Sequence, residues 1–148
     1  MSKSTGSKDD MKALVAALGT VDLFSDLTPK QLSMIAGLCR AERFAPGHVI
    51  VSQGTDSARF YLIASGSVAV KVNDRPIAGM EAGEYFGEIS MIDRGPRTAS
   101  VVATTEVVVH SLAFFSIRPL LKENPEMAIK LLVKMCERVR RLESALTI

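Results

Sequence analysis

The chain has 148 residues, a length that suits one domain with a core of its own, and 47% of them are hydrophobic. Its formal net charge of +2 is too small to argue by itself for a nucleic-acid partner. The N-terminus is polar and no run of about 18 apolar residues occurs, so neither a secretory signal nor a membrane span is expected. Cys39 and Cys136 are interpreted as reduced, partly buried thiols, with a disulfide as the alternative, which favours a cytoplasmic protein.

Two helices are predicted at the start of the chain. Residues 1–8 are expected to be disordered, and residues 9–24 carry apolar side chains at helical spacing until Gly19 ends the helix. A second helix is predicted to have Thr28 as its N-cap and Pro29 at its first helical position.

From about residue 41 to residue 112 the pattern changes to short β-rich runs separated by turn residues. Strands this short and this evenly spaced predict an antiparallel sandwich or barrel. Residues 67–80 are a hairpin candidate that turns at Asn73-Asp74. A short helical turn is expected to interrupt the strands at residues 87–93.

The helical period returns in two segments at residues 113–146. Asn124 is predicted to cap the second of them, and Pro125 to start it. The apolar residues of this last helix recur at the heptad spacing of a coiled-coil seam. They are Ala128, Leu132, Met135, Val139, Leu142 and Leu146.

The stretch from Tyr85 to Val101 carries the most specific polar chemistry in the chain. Gly87 permits a tight turn, and a short helix after it would offer free N–H groups to an anion. Arg97 and Thr98 follow within reach, while Glu88 adds a carboxylate that only accepts hydrogen bonds. A phosphodiester monoanion beside a free hydroxyl fits this set. The alternative is a buried Glu88–Arg97 salt bridge that binds nothing.

These residues resemble the phosphate-binding cassette of cyclic-nucleotide-binding domains. Such domains occur in the catabolite activator protein family, in the regulatory subunit of cAMP-dependent protein kinase and in cyclic-nucleotide-gated channels. The matching positions are Phe86-Gly87-Glu88, Ser90 and Pro96-Arg97-Thr98-Ala99. The resemblance extends over about residues 20–142, and Gly47, Gly54, Gly66 and Gly83 fall where the family's β-roll turns.

The resemblance implies an α+β fold, an antiparallel β-roll (double-stranded β-helix or jelly-roll) flanked by N-terminal helices and two C-terminal helices. The domain would cover residues 9–148, with the β-roll at about 41–112. In such a site Glu88 would hold the ribose 2′-hydroxyl, Arg97 would bind the cyclic phosphate, and Gly87 would position backbone N–H groups. The implied ligand-binding residues are Phe86, Gly87, Glu88, Ile89, Ser90, Arg97, Thr98 and Ala99.

Further expectations concern the ligand and the output. cAMP is the first choice. cGMP is the alternative, because a threonine at the position of Thr98 accompanies cGMP preference in related eukaryotic domains. Arg138 or Arg141 is a candidate lid that would stack on the purine, but a solvated arginine face is the favoured interpretation of each. The movement of the C-terminal helices would regulate a partner, with hinge packing by Phe114, Phe115, Leu120 and Leu121.

The last helix has two interpretations. In the catabolite activator family it pairs with its twin, which would make Leu132, Met135, Val139, Leu142 and Leu146 a homodimer seam. Alternatively, the same stripe packs on its own β-roll. No helix-turn-helix is recognised in the sequence, so direct DNA binding is not expected. The chain is expected to be either a free-standing sensor or the sensor part of a longer protein.

Two other classes of protein are alternatives to a nucleotide sensor. An enzyme on a similar β-roll, such as a metal-dependent cupin, would need a cluster of ligands, but His48 and His110 lie far apart in the sequence. Neither an enzyme nor a cofactor is therefore expected. The other class is a degenerate domain that has lost its ligand and serves as a protein-interaction module.

Overall fold

The computed structural model describes residues 8–56 and 58–146. The predicted disorder at residues 1–8 lies outside these ranges except for Lys8, which begins a helix. The helices are α1 (Lys8–Gly19), α2 (Pro29–Ala36), α3 (Glu88–Asp93), α4 (Phe114–Glu123) and α5 (Pro125–Ala145), with a short 3-10 helix at Asp22–Phe24. The strands are β1 (Arg40–Phe44), β2 (Val49–Val51), β3 (Arg59–Ser65), β4 (Ser67–Val72), β5 (Arg75–Glu81), β6 (Tyr85–Phe86), β7 (Ser100–Ala103) and β8 (Val107–Ala113).

The strands form two antiparallel sheets, in the orders β1-β8-β3-β6 and β2-β7-β4-β5. This confirms the predicted α+β class, with a two-layered β-roll flanked by helices. The predicted hairpin is β4–β5, and Asn73 and Asp74 both have positive φ (52° and 65°), as a two-residue type I′ turn requires. Gly66 joins β3 to β4 at φ 90°, where a Cβ would lie 2.2 Å from the Glu106 carbonyl oxygen.

The core has two parts, one on each side of β3. Phe60 and Leu62 point into a cluster with the helices, and Tyr61 and Ile63 point into a cluster between the two sheets. This alternation is the two-residue period of a strand that is covered on both faces. The first cluster also contains Met91 of α3, which anchors the short helix to the helical side of the molecule.

The helix caps agree only partly with the sequence. Thr28 forms the predicted cap, and Gln31 completes a reciprocal capping box. Asn124 does precede Pro125 and α5, but the prediction that its side chain caps α5 is wrong. Its Nδ2 instead donates to the Leu120 carbonyl oxygen at 2.9 Å, because Asn124 is also the C-cap residue that follows the end of α4 at Glu123.

The two faces of α5 differ sharply in burial. Met127 and Leu131 are buried against the helical cluster, and Met135 is half-buried at its edge. The rest of the predicted heptad seam, apart from the half-buried Ala128, faces solvent. Its exposed members are Leu132 (63%), Val139 (52%), Leu142 (61%) and Leu146 (67%). The interpretation in which the whole stripe packs on its own β-roll is therefore wrong.

Both cysteines are free thiols, so the disulfide alternative is excluded. Cys39 is buried, and burial raises the pKa of its thiol to about 12. Cys136 is exposed on α5, where partial burial had been expected. Within residues 8–56 and 58–146, none of the helices has the length and apolar character needed to cross a membrane.

Candidate functional site

A cavity of about 500 Å³ opens between α3, the loop after it and the second sheet. Its volume lies in the range of small-molecule sites, about 300–1,000 Å³. All the ligand-binding residues expected from the cassette line it, namely Phe86, Gly87, Glu88, Ile89, Ser90, Arg97, Thr98 and Ala99. The sequence segment thus folds back on itself so that the acid and the guanidinium share one hollow.

Gly87 determines how the chain enters this cavity. Its φ of 87° lies in the left-handed region, and a Cβ there would be 2.4 Å from the Arg59 carbonyl oxygen and 2.5 Å from Nη1 of Arg97. The Met91 N–H donates to the Gly87 carbonyl oxygen at 3.0 Å, which closes the first turn of α3. Because α3 begins here, its first N–H groups have no partners within the helix.

Arg97 is a buried cation fixed from several sides. Its side chain is only 6% exposed, and Nη2 donates to the Arg59 carbonyl oxygen at 2.6 Å. Its backbone N–H donates to the Thr55 carbonyl oxygen at 2.9 Å, and its own carbonyl oxygen accepts from the Gly54 N–H at 2.8 Å. The guanidinium carbon lies 5.8 Å from the centre of the Tyr61 ring. Burial lowers the pKa of Arg97, yet an arginine stays protonated in proteins, so the cavity wall carries a fixed positive charge.

Glu88 does not pair with Arg97, so the alternative of a closed salt bridge between them is wrong. Oε2 of Glu88 lies 3.3 Å from Nη1 of Arg138 on α5. A second nitrogen of Arg138 lies 3.9 Å from Asp22, beside the 3-10 helix. The cassette carboxylate is thereby connected to the C-terminal helix and to the N-terminal part of the chain.

The two lid candidates occupy different places. Arg138 reaches the edge of the site through Glu88, whereas Arg141 is mostly exposed and lies 3.6 Å from Asp22. Neither lines the cavity. A stacking role for either side chain on a purine stays a prediction.

Sequence analysis missed the apolar wall of the cavity. Its members all come from the second sheet, and they are Val51 of β2, Val70 of β4, Met80 of β5 and Val101 of β7. The strands that carry them were recognised, but the face that each side chain takes depends on register between strands far apart in sequence. The stacking of Tyr61 on Phe86, with ring centres 5.0 Å apart, was not foreseen for the same reason.

The predicted hinge packing holds for some of its members only. Leu120 and Leu121 pack against the helical cluster, and Phe114 is half-buried. Phe115 is 76% exposed, so its assignment to the hinge packing is wrong. It follows Phe114 at the start of α4, where the helical turn directs it away from the core.

The histidines do not form part of the cavity. His48 is exposed beside Phe44, and His110 is half-buried on β8, where burial lowers its pKa and nearby Asp10 partly opposes that shift. In the described ranges no group of three or more histidine, cysteine or acidic side chains is arranged to hold a metal ion.

Comparison with known proteins identifies the family. A family model described as "Cyclic nucleotide-binding domain" matches residues 41–124, which is more than half of the chain and includes the whole cassette. The chain belongs to the cyclic nucleotide-binding domain family. The resemblance seen in the cassette residues is thus confirmed at the level of the domain.

Three similar proteins illustrate the range of the family. The cAMP-dependent protein kinase regulatory subunit of Hypocrea atroviridis is 37% identical over 95 residues, covering 64% of this chain and 21% of its own length. The cGMP-dependent protein kinase of Plasmodium berghei is 36% identical over 86 residues, covering 58% of this chain and 10% of its own. The crystal structure of the N-terminal domain of a transcriptional regulator from Streptomyces coelicolor A3(2) superposes with a TM-score of 0.81 at 29% identity, covering 87% of this chain and 96% of that one.

The chain corresponds to only a small part of each of the two kinase-related proteins. The chain spans about a fifth of the length of the Hypocrea regulatory subunit and a tenth of the Plasmodium kinase. What is shared is therefore the nucleotide-binding domain, and the activity of those whole proteins is not part of the likeness.

Proposed function

We propose that this domain binds a cyclic nucleotide, with cAMP favoured, and that binding moves α4 and α5 to regulate a partner protein. The observation that carries the proposal is that Glu88 and Arg97 line one cavity without pairing with each other. A cation and an acceptor held apart suit a ligand that carries an anion and a hydroxyl donor. A cyclic nucleotide offers both, as its phosphodiester and its ribose 2′-hydroxyl.

Each cassette residue has a role in this proposal. Arg97 neutralises the single charge of the cyclic phosphate, and Glu88 accepts the hydrogen bond of the 2′-hydroxyl. Gly87 and Ser90 position the backbone N–H groups of the first turn of α3, and Thr98 adds a hydroxyl at the phosphate. Water is excluded from the sugar and base by Phe86, Ile89 and Ala99, together with the apolar wall of the cavity.

The ion pair between Glu88 and Arg138 supplies the connection to the output. The ribose hydroxyl and the Arg138 guanidinium both seek the same carboxylate. A bound nucleotide therefore changes the contact that holds α5 to the cassette, and the balance between two positions of the helix shifts. This is a population shift whose size is set by the difference in nucleotide affinity between the two positions.

cGMP is the second candidate, and Thr98 is the observation that favours it. Thr98 is exposed at the rim of the cavity, where its hydroxyl is available to a guanine as well as to a phosphate. The likeness to the cGMP-dependent kinase of Plasmodium berghei supports the same alternative.

The exposed seam of α5 supports a homodimer. Leu132, Val139, Leu142 and Leu146 form an apolar stripe that the described part of the chain does not cover. A second copy of the same helix presents a matching heptad stripe, so pairing would remove both from water. In this arrangement the helix that contacts Glu88 also forms the subunit interface.

Calorimetric titration tests the ligand. cAMP, cGMP and 5′-AMP are titrated into the wild-type chain and into Arg97→Leu, with Arg40→Leu, an exposed arginine on β1, as the matched control. The removal of Arg97 is expected to reduce cAMP affinity by about 3–5 kcal/mol, because one partner of a buried charge pair is lost. That is a loss of roughly 10²-fold to several thousandfold.

The outcomes separate the candidates. Tighter binding of cAMP than cGMP, with weak binding of 5′-AMP, supports the favoured ligand, and the reverse order supports cGMP. Binding of no nucleotide by the wild-type chain would leave the degenerate interaction module. Wild-type affinity in Arg97→Leu would remove Arg97 from the site.

A further inference from the structure

The short helix α3 borders a second cavity, separate from the nucleotide site. We name this cavity of about 300 Å³ the α3–α4 groove. Its floor is apolar and its rim carries two cations. It is lined by Met91, Ile92, Phe114, Ile117, Arg118, Leu121, Lys122 and Ala128. No carboxylate is among these lining residues.

The cations beside the groove have no ion-pair partner among the described residues. The guanidinium carbons of Arg94 and Arg118 lie 4.9 Å and 5.6 Å from the centre of the Phe114 ring. Neither they nor Lys122 forms an ion pair within the described ranges of the chain. The positive charge beside the groove is therefore available to an outside acid.

The cations of α5 show the contrast. Lys134, Arg138 and Arg141 all have carboxylates within 4.0 Å, on Asp26, Glu137, Glu88 or Asp22. Lys130 of the same helix differs from them, because its Nζ donates to the neutral side-chain oxygen of Gln31. At the groove, Arg118 and Lys122 have no carboxylate within 4.0 Å among the described residues.

Two exposed apolar side chains lie near the groove, and one of them, Phe115, lines a neighbouring cavity with Arg94, Asp56 and Asp93. Ile92 is 39% exposed on α3, and Phe115 is 76% exposed on α4 with its ring edge against Phe114. Exposed apolar side chains that adjoin one another are typical of protein-interaction sites, whereas ones scattered singly need no explanation. A partner helix would bury such side chains along one face.

We propose that the α3–α4 groove docks an acidic amphipathic segment of a partner protein. Apolar side chains of that segment fill the floor between α3 and α4. Its carboxylates meet Arg94, Arg118 and Lys122. The charge selects the orientation and the partner, and the apolar contact supplies most of the affinity.

The docking surface and the nucleotide cavity share one moving part. α3 has only six residues, with Glu88 in the nucleotide cavity and Met91 and Ile92 in the groove. It lies between Gly87 and Arg94, which both have left-handed φ (87° and 59°), so the backbone changes direction at each end. A shift of α3 toward a nucleotide must move one wall of the groove. This coupling rests on the proposed function, whereas the docking itself does not.

Fluorescence anisotropy on the full chain tests the docking. The probe is a labelled peptide of about 15 residues, enough for a helix, with leucines along one face and glutamates on the other. A second peptide carries lysine in place of every glutamate. The acidic peptide is expected to bind saturably and less tightly as salt rises, and the basic peptide is not expected to bind.

Charge reversal locates the binding surface. Arg118→Glu/Lys122→Glu is expected to lose about tenfold or more in affinity for the acidic peptide, since two attractive contacts become repulsive. The control Arg75→Glu/Arg140→Glu makes the same change in net charge at exposed positions elsewhere and is expected to bind as the wild type does. Unchanged melting temperatures establish that both variants are folded.

Several results would overturn the proposal. They are no saturable binding of the acidic peptide, equal binding of both peptides, and an equal loss in the two double variants. Binding of phosphatidylserine vesicles in preference to the peptide, lost in Arg118→Glu/Lys122→Glu, would assign the groove to a membrane surface instead. Nucleotide binding without peptide binding refutes the groove alone, and peptide binding without nucleotide binding refutes the proposed function alone.

Discussion

The cassette and the outer face of α5 are built on different physical bases. In the cassette, Gly87 and Arg97 are held by backbone angles and by hydrogen bonds to residues of the same chain. On the outer face of α5, Leu132 and Leu142 follow a regular helical period and touch solvent. The first region is held by contacts with neighbouring residues, and the second presents apolar side chains that no described residue covers.

The difference bears on how each region tolerates change. A cassette residue has fixed neighbours, so a substitution acts through a specific clash or a lost hydrogen bond. A residue on the outer face of α5 has few neighbours, so a substitution leaves the fold intact and affects association. Matched pairs of substitutions test this contrast in both regions.

The largest expected effect separates the two faces of α5. Leu131→Ala is expected to lower the free energy of unfolding by about 2–5 kcal/mol, because it truncates a buried side chain and leaves a cavity in its place. Leu132→Ala, one position further along, is expected to change it by less than about 0.5 kcal/mol when the protein is monomeric. Urea unfolding at low protein concentration measures both values.

Light scattering at higher concentration completes this pair. If α5 forms the proposed homodimer seam, Leu132→Ala weakens the dimer while it spares the monomer. A wild-type mass of one 16.0 kDa chain at every concentration would contradict the dimer. Equal destabilisation by the two substitutions would contradict the contrast between the faces.

A comparison of two glycines separates the cost of a steric clash from the cost of a left-handed backbone conformation. Gly87 and Gly47 have nearly the same φ (87° and 86°), but a Cβ at Gly47 meets nothing within 4 Å. Gly47→Ala is expected to cost about 1–2 kcal/mol, the strain of a left-handed L-residue. Gly87→Ala is expected to cost about 1–3 kcal/mol more, because its Cβ collides with the Arg59 carbonyl and with Arg97.

Urea unfolding and nucleotide titration are both needed for this pair. Because Arg97 must move to make room, Gly87→Ala is expected to weaken nucleotide binding, and Gly47→Ala is not. Similar unfolding free energies in the two variants would show that the close approach at Gly87 relaxes without consequence. That result would remove the steric argument for glycine at the start of α3.

The sequence predicted the cassette better than the rest of the molecule for a local reason. The spacing from Gly87 to Arg97 lies within one short segment, and α3 forms where the turn and helix signals placed it. The Thr28 cap and the Asn73-Asp74 turn were predicted for the same reason, since each depends on a few adjacent residues.

Features that depend on distant residues were missed. Oε2 of Glu88 meets an arginine 50 positions away, and no local pattern specifies which arginine of α5 faces it. The Asn124 side chain bonds to the helix before it rather than to the helix after it, because it stands between two helix ends. The exposure of Phe115 likewise follows from the docking angle of α4, which the helical period does not determine.

The smallest predicted effect concerns Arg138, which joins the two regions. If its guanidinium competes with the ribose hydroxyl for Glu88, Arg138→Ala should raise nucleotide affinity. The gain should be only about two- to fivefold, because ion pairs near the surface contribute about 0.2–1 kcal/mol. Arg141→Ala is the matched control, since Arg141 lies on the same helix and also pairs with Asp22 but does not contact Glu88.

Calorimetric titration at low salt measures the nucleotide affinities of Arg138→Ala and Arg141→Ala most clearly, because salt screens the ion pair between Arg138 and Glu88. An affinity that falls in Arg138→Ala would mean that the arginine supports Glu88 in its bound position rather than competing with the ligand. In that case α5 would close on an occupied cassette, and the direction of the coupling between nucleotide and helix would be reversed. Equal effects in Arg138→Ala and Arg141→Ala would point to a general loss of positive charge near the cavity and not to the contact with Glu88.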